Sequence, residues 1–130
     1  MRGFSKLATA VVAAFAVAPV SVLAQDPAPV KIGVVAFLSG PAASPFGVPA
    51  RNAAELVVEL LNAGKGPAPY ATKGFGGAPI QTVIIDEAGS TTTQVTEYRN
   101  LVQRHNVDAV IGYISSGNCI AVAPVAEELK

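Results

Sequence analysis

Ile80–Glu128, IQTVIIDEAGSTTTQVTEYRNLVQRHNVDAVIGYISSGNCIAVAPVAEE, is the stretch whose pattern decides the fold. It opens on a short aliphatic run, Ile80 to Asp86, with Val83, Ile84 and Ile85 as the buried part of a strand. The spacing then changes. Val95, Tyr98, Leu101 and Val102 share one helical face, while Arg99 and Arg104 fall on the wet side. Thr91, with Gln94 three residues later, predicts a capping box in which hydroxyl and amide each satisfy an orphan backbone N–H. Val107 to Tyr113 returns to strand character. Ser115-Ser116-Gly117-Asn118 leads into a further helix carrying Ile120, Val122, Ala123, Val125 and Ala126. Pro124 falls inside that helix, where it costs a backbone hydrogen bond and bends the axis.

Upstream the same alternation holds. Val30 to Phe37 is a compact run with Ile32, Val34, Val35 and Phe37, the pattern of a buried strand. Ser39 to Gly47 reads as a loop. From Val48 a helix places Ala50, Ala53, Ala54, Val57, Leu60 and Leu61 on one face and Arg51, Glu55 and Glu59 outside it. The outer side carries one favourable four-residue pair, Arg51 with Glu55, and one unfavourable pair, Glu55 with Glu59. Asn62 to Gly64 ends the helix, and Lys65 to Ala78, rich in proline and glycine, is a surface excursion. Strands alternating with amphipathic helices predict an α/β fold, a doubly wound parallel sheet covered on both faces.

Residues 1–24 have the layout of a secretory signal. Arg2 and Lys6 precede an apolar run from Leu7 to Val20, and Val22 and Ala24 occupy the positions a signal peptidase inspects. A retained anchor would need roughly 20 apolar residues, and this run is shorter and broken by Pro19. Cleavage is expected after Ala24, with 25–29 a flexible lead-in. The signal removes two basic residues and no acidic one, so seven Lys and Arg remain against nine Asp and Glu, a net charge of −2. That balance gives no reason to expect nucleic acid or an anionic membrane as partner. Cys119 is the sole cysteine. It reads either as a small apolar residue packed in a helix or as half of a pair whose partner lies outside the sequence. The chain stops at Lys130 inside an apparently helical stretch with no stop signal, so a longer protein is expected.

In a parallel sheet of this kind ligands bind at the edge where the strands end and the helices begin. Three loops converge there: Ser39 to Gly47, Asp86 to Thr92, and Ile114 to Asn118. Helix N-termini at that edge favour a small anion such as a carboxylate. Ser115 and Ser116 supply hydroxyls and Gly117 allows close approach to the backbone, although one serine can simply cap its helix. Phe46 either covers an apolar ligand group or staples onto the helix below. Ser44, in the same loop, completes the ligand-binding set.

Catalytic signals are weak. His105, the sole histidine, falls at the opposite edge, where it suits the last carbonyls of its helix. Asp86 and Glu87 are adjacent and point in different directions, a poor carboxylate pair, and Asp86 is expected to bond loop backbone. There is no nucleophile elbow, phosphate loop, dinucleotide fingerprint or metal-ligand spacing. The expectation is a binding protein with no catalytic residue, metal or cofactor.

KIGVVAFLSGPAASPFG after a signal, AELVVELLNAG at the end of a helix, and the stretch from Ile84 to Glu128 resemble leucine-, isoleucine- and valine-binding periplasmic proteins. The likeness is most specific in the Ser-Gly-Pro loop, the Asp-Ala-Val-Ile-Gly strand with its paired serines, and the AVAPVAEE helix. It implies a type I periplasmic binding fold, two lobes closing on a ligand, with residues 30–130 as the N-terminal part of the first lobe. It also implies the solute-binding component of an ABC importer: periplasmic, monomeric, and delivering an amino acid, amide or aromatic acid to an inner-membrane permease. The family's first-lobe serine that contacts the ligand carboxylate falls on Ser116, and its apolar loop residue on or next to Phe46. Two features depart from the family. A disulfide found in some members would join positions held here by Gly89 and Ser115, and Lys65 to Ala78 is longer than the usual turn. Two other readings use a similar sheet: the ligand-sensing domain of an exported receptor, and an exported α/β hydrolase whose nucleophile and base would lie after residue 130.

Overall fold

The computed structural model describes residues 26–129, so the expected signal lies outside the described residues. Six main elements follow in order: β1 (Val30–Ala36), α1 (Val48–Asn62), β2 (Ile80–Asp86), α2 (Thr91–Gln103), β3 (Ala109–Gly112) and α3 (Ser116–Glu128). The three strands form one parallel sheet in the order β2-β1-β3. β1 is central, and its Val34, Val35 and Ala36 are all buried. Side chains alternate across it. Ile32 and Val34 face α1, whereas Gly33 faces α2, where a Cβ would come within 3.1 Å of Leu101 Cδ1. α1 therefore covers one face, while α2 and α3 pack together on the other. This is the doubly wound α/β arrangement expected from the sequence.

Several local expectations change. β3 is only Ala109–Gly112, because the chain leaves the sheet at Tyr113, whose φ is +64°. The segment expected to be a plain loop from Ser39 to Gly47 contains a wide turn, Ala43–Gly47, that runs directly into α1. Its geometry depends on Gly47, where a Cβ would lie 1.7 Å from Phe37 O, so no larger residue fits. The capping box at Thr91 and Gln94 does not form. Ser90 is the N-cap of α2, its Oγ accepting from Thr93 N–H at 3.2 Å. Gln94, fully buried, turns inward, and its amide donates to Asp86 O (3.2 Å) and Ala88 O (3.0 Å). Arg99 is not simply solvated. It forms a two-pronged pair with Glu128 of α3, at 2.6 and 3.2 Å.

The apolar faces of α1 and α3 are wider than the surfaces they cover. No residue of α1 is fully buried, and Val57 and Leu60, expected inside, are 52% and 38% exposed. An apolar cavity of about 380 Å³ lies between α1 and the sheet and reaches all three strands, at Ile32, Thr82 and Ile111. In α3, Val122 and Val125 are buried, but Ile120 is 73% exposed and Ala123 also faces out. Pro124 does sit inside the helix, and its ring lies on that exposed side. Asn62 anchors the far end of α1, donating to Ile80 O and accepting from Ile80 N–H, both at 2.8 Å.

The packing contrast is measurable. Leu101→Ala, at a side chain with no exposure, should cost about 2–5 kcal/mol in urea unfolding. Leu56→Ala, at one 56% exposed, should change stability by less than about 0.5 kcal/mol.

Candidate functional site

The strand register gathers the three loops. Val35 pairs with Gly112 and Ala36 with Asp86, so all three strands end level on one edge. The two acidic residues at the end of β2 then tie this rim together. Asp86 reaches toward the loop after β1. Its Oδ1 accepts from Leu38 N–H (2.8 Å) and Ala88 N–H (2.9 Å), and its Oδ2 accepts from the Ser39 hydroxyl at 2.6 Å. The expectation that Asp86 bonds loop backbone is met. Burial pushes its carboxyl up, but the Ser39 hydroxyl and the Ala88 and Leu38 N–H groups outweigh that and hold it below the usual 3.8.

Glu87 reaches the opposite way, toward the loop after β3. It has no solvent exposure, and its Oε2 and Oε1 accept from Ile114 N–H (2.8 Å) and Ser115 N–H (2.7 Å). Asn118, also buried, donates its side-chain amide to Glu87 O and Oε1, each at 3.4 Å. The Glu87 backbone N–H is bonded to Ala36 O at 2.9 Å, which seats the residue across the end of β1. From sequence, Glu87 enters only as half of a poor carboxylate pair with Asp86. The available signal was two adjacent acids ending a strand, with no cation near them in sequence.

The two serines are assigned different tasks. Ser115 is the N-cap of α3, its Oγ accepting from Asn118 N–H at 3.4 Å. Ser116 begins the helix and is exposed. Cys119 N–H is taken by Ser115 O, whereas Ser116 and Gly117 N–H have no hydrogen-bond partner among the described residues. Open space lies over Gly117, since a Cβ there would meet only Ser115 Oγ, at 3.7 Å. The first turn of α3 thus presents two N–H groups and one hydroxyl. α1 does not match it, because the wide turn satisfies its entry: Gly47 N–H reaches Ala42 O and Val48 N–H reaches Ala43 O.

Phe46 and Ser44 lie in that wide turn, on the same rim as Ser115, Ser116 and Gly117. Phe46 is 58% exposed. Cys119 is also exposed, not packed in the helix interior. Tyr113, between the strand and the serines, has a buried hydroxyl with no partner among the described residues. Burial, followed by the proximity of Tyr98, Glu87 and Glu97, pushes Tyr113 up to about 12. The apolar cavity beneath α1 does not include these rim residues. Among the described residues no group of three His, Cys, Asp or Glu is arranged for a metal ion, and no helix is long and apolar enough to cross a membrane.

The three-stranded parallel sheet with helices on both faces matches a lobe of a type I periplasmic binding protein. Residues 29–130 match the Periplasmic binding protein family, and the chain belongs to it. Membership implies a periplasmic or extracellular location. The chain is similar to the branched-chain amino acid transporter substrate binding protein LivJ from Streptococcus pneumoniae, solved with isoleucine. Identity is 29%, TM-score 0.65, covering 78% of this chain and 26% of that one. An extracellular ligand-binding receptor from Rhodopseudomonas palustris HaA2 is 30% identical, with TM-score 0.60, covering 78% and 24%. A Rhodopseudomonas palustris solute binding protein in complex with 4-hydroxybenzoate shares the fold at 22% identity and TM-score 0.57, covering 78% and 25%. This chain spans about a quarter of the length of each. Comparison with curated proteins gives no match. The family and these neighbours are binding proteins.

Two substitutions test the rim. Asp86→Asn should cost on the order of 1–3 kcal/mol near neutral pH. Because the folded-state value of Asp86 lies below 3.8, its contribution is complete above that pH and is lost as pH falls through the folded value. The stability gap between wild type and variant in urea melts should therefore close in acid. Tyr113→Phe removes a buried unpartnered hydroxyl and should leave stability unchanged or raise it by up to about 1 kcal/mol.

Proposed function

We propose that this chain supplies the first ligand-contacting rim of a periplasmic solute-binding protein that serves an ABC importer. The ligand is an amino acid or related small carboxylate. Its carboxylate is held by the Ser116 hydroxyl and the Ser116 and Gly117 N–H groups, where the partial positive charge of α3 adds to three donors. Ser115 supports that grip from behind, and Phe46 and Ser44 line the opposite side, the ring covering the ligand's apolar part. The signal at 1–24 directs export and is removed after Ala24. Residues 30–130 form the opening part of the first lobe. Further chain, of the kind that makes the relatives about three times as long, completes the lobe over α1 and β3 and supplies the second lobe. Closure of two lobes on the ligand is a shift between open and closed populations, stabilised by contacts to both. The closed form would then be presented to the permease.

The observation that carries this reading is the division of labour at α3: Glu87 and Ser115 occupy the other donors of the turn and leave Ser116 and Gly117 unpartnered and exposed. A receptor role would use the same rim, and the ligand-binding receptor from Rhodopseudomonas palustris HaA2 makes that the second reading.

One lobe's contacts alone give weak affinity, about millimolar, which suits detection by amide chemical shifts. Titrating the chain with isoleucine, and separately with 4-hydroxybenzoate as an aromatic acid, should move the Ser116 and Gly117 signals first for at least one of the two. Ser116→Ala should weaken that response by about tenfold. Shifts scattered over the surface, or none at these residues with either acid, would refute the proposed site.

A further inference from the structure

The turn between β3 and α3 closes on a carboxylate of the protein itself. Two successive residues take positive φ, Gly112 at +136° and Tyr113 at +64°. The next two N–H groups, of Ile114 and Ser115, are aimed at the same acidic group. Each oxygen of the Glu87 carboxylate takes one of these N–H groups, at 2.8 and 2.7 Å, and Asn118 adds its amide at 3.4 Å. Neither the Arg51–Glu55 nor the Arg99–Glu128 ion pair involves Glu87, which is held by N–H donors. The positive φ of Tyr113 is costly for a residue with a Cβ. It persists where the surroundings fix it, and the Glu87 bonds act on the two residues that follow.

We infer that Glu87 is the positioning residue of the ligand loop, a built-in carboxylate that presets the Ser116 and Gly117 donors before any ligand arrives. This rests on the reading that those two residues meet the ligand. It extends that reading by dividing the donors of the turn into an inner pair, permanently used by the protein, and an outer pair reserved for the ligand. Asn118 couples the two layers, since its side chain bonds Glu87 while its backbone N–H is capped by Ser115. The alternative is that Glu87 acts only as a negative charge near the helix start, which would oppose a ligand carboxylate.

Two variants separate these roles. Glu87→Gln keeps the shape, removes the charge and offers one acceptor oxygen to two N–H donors. Glu87→Asp keeps the charge but is one methylene too short to span both. Positioning predicts that both variants speed amide hydrogen exchange at Ile114 and Ser115 by about tenfold or more. Both should also weaken the isoleucine-induced shifts at Ser116 and Gly117 by about fivefold. A charge effect predicts tighter isoleucine binding in Glu87→Gln and no change in Glu87→Asp, and that outcome overturns the inference. So do unchanged exchange rates in both variants. If neither variant folds, the wild-type chain decides: Ile114 and Ser115 amides should be protected without ligand and stay unmoved when isoleucine shifts Ser116 and Gly117. Large isoleucine-induced shifts at Ile114 and Ser115 would overturn the inner–outer division. If isoleucine moves no rim signal, the binding reading fails for that ligand, while the exchange rates still report on the hold of Glu87 over the turn.

Discussion

A carboxylate with no access to water must find its donors within the protein, and the way Glu87 does so governs the turn from β3 into α3. Burying an uncompensated charge costs several kcal/mol or more. Glu87 is kept buried by two backbone N–H bonds and a side-chain amide, all from the turn into α3. That requirement constrains the turn as firmly as the turn satisfies the carboxylate. Asp86, one residue earlier, does the same for the loop after β1 through Leu38 and Ser39. Successive side chains at a strand end point to opposite sides. For that reason the pair makes a poor catalytic dyad, and for the same reason it can fasten two different loops.

The consequence for binding is preorganisation. A site whose donors are already oriented loses less conformational freedom when the ligand arrives. The β3–α3 turn is fixed from within by Glu87 and capped by Ser115, leaving one hydroxyl and two N–H groups facing out. The rim is also assembled from rigid parts: strand ends in register, a helix start, and a wide turn held by the close approach of Gly47 to Phe37.

Most of the fold was legible because it depends on periodicity. The aliphatic runs at Val30 and Ile80 and the helical spacings after Val48 and Thr91 were strong, and their order alone implied a parallel sheet. Boundaries were weaker where one residue's backbone overrode the local pattern. Tyr113 reads as a strand residue, but its left-handed conformation ends β3 at Gly112. Thr91 and Gln94 fit a capping box by spacing, yet Ser90 caps α2, freeing Gln94 to satisfy two loop carbonyls. Helix burial was overestimated for Val57, Leu60 and Ile120, because apolar spacing shows which face a helix can bury and not how much neighbouring surface is present to cover it. At the rim, hydroxyl chemistry nominated both serines, the family resemblance pointed to Ser116, and the donor accounting makes Ser115 the cap of α3. The role of Glu87 was invisible for a related reason: its partners are backbone N–H groups 27 and 28 residues away, which carry no side-chain signature.

The central claim is that the two carboxylates ending β2 each hold a neighbouring loop. Through-hydrogen-bond scalar couplings, measured between backbone amide nitrogens and side-chain carboxylate carbons in the isotope-labelled chain, report those bonds directly. Correlations from Ile114 and Ser115 to the Glu87 carboxylate, and from Leu38 to the Asp86 carboxylate, are expected without ligand. Absence of all three, with amide exchange at the rates of free coil, would show that neither carboxylate fastens the rim.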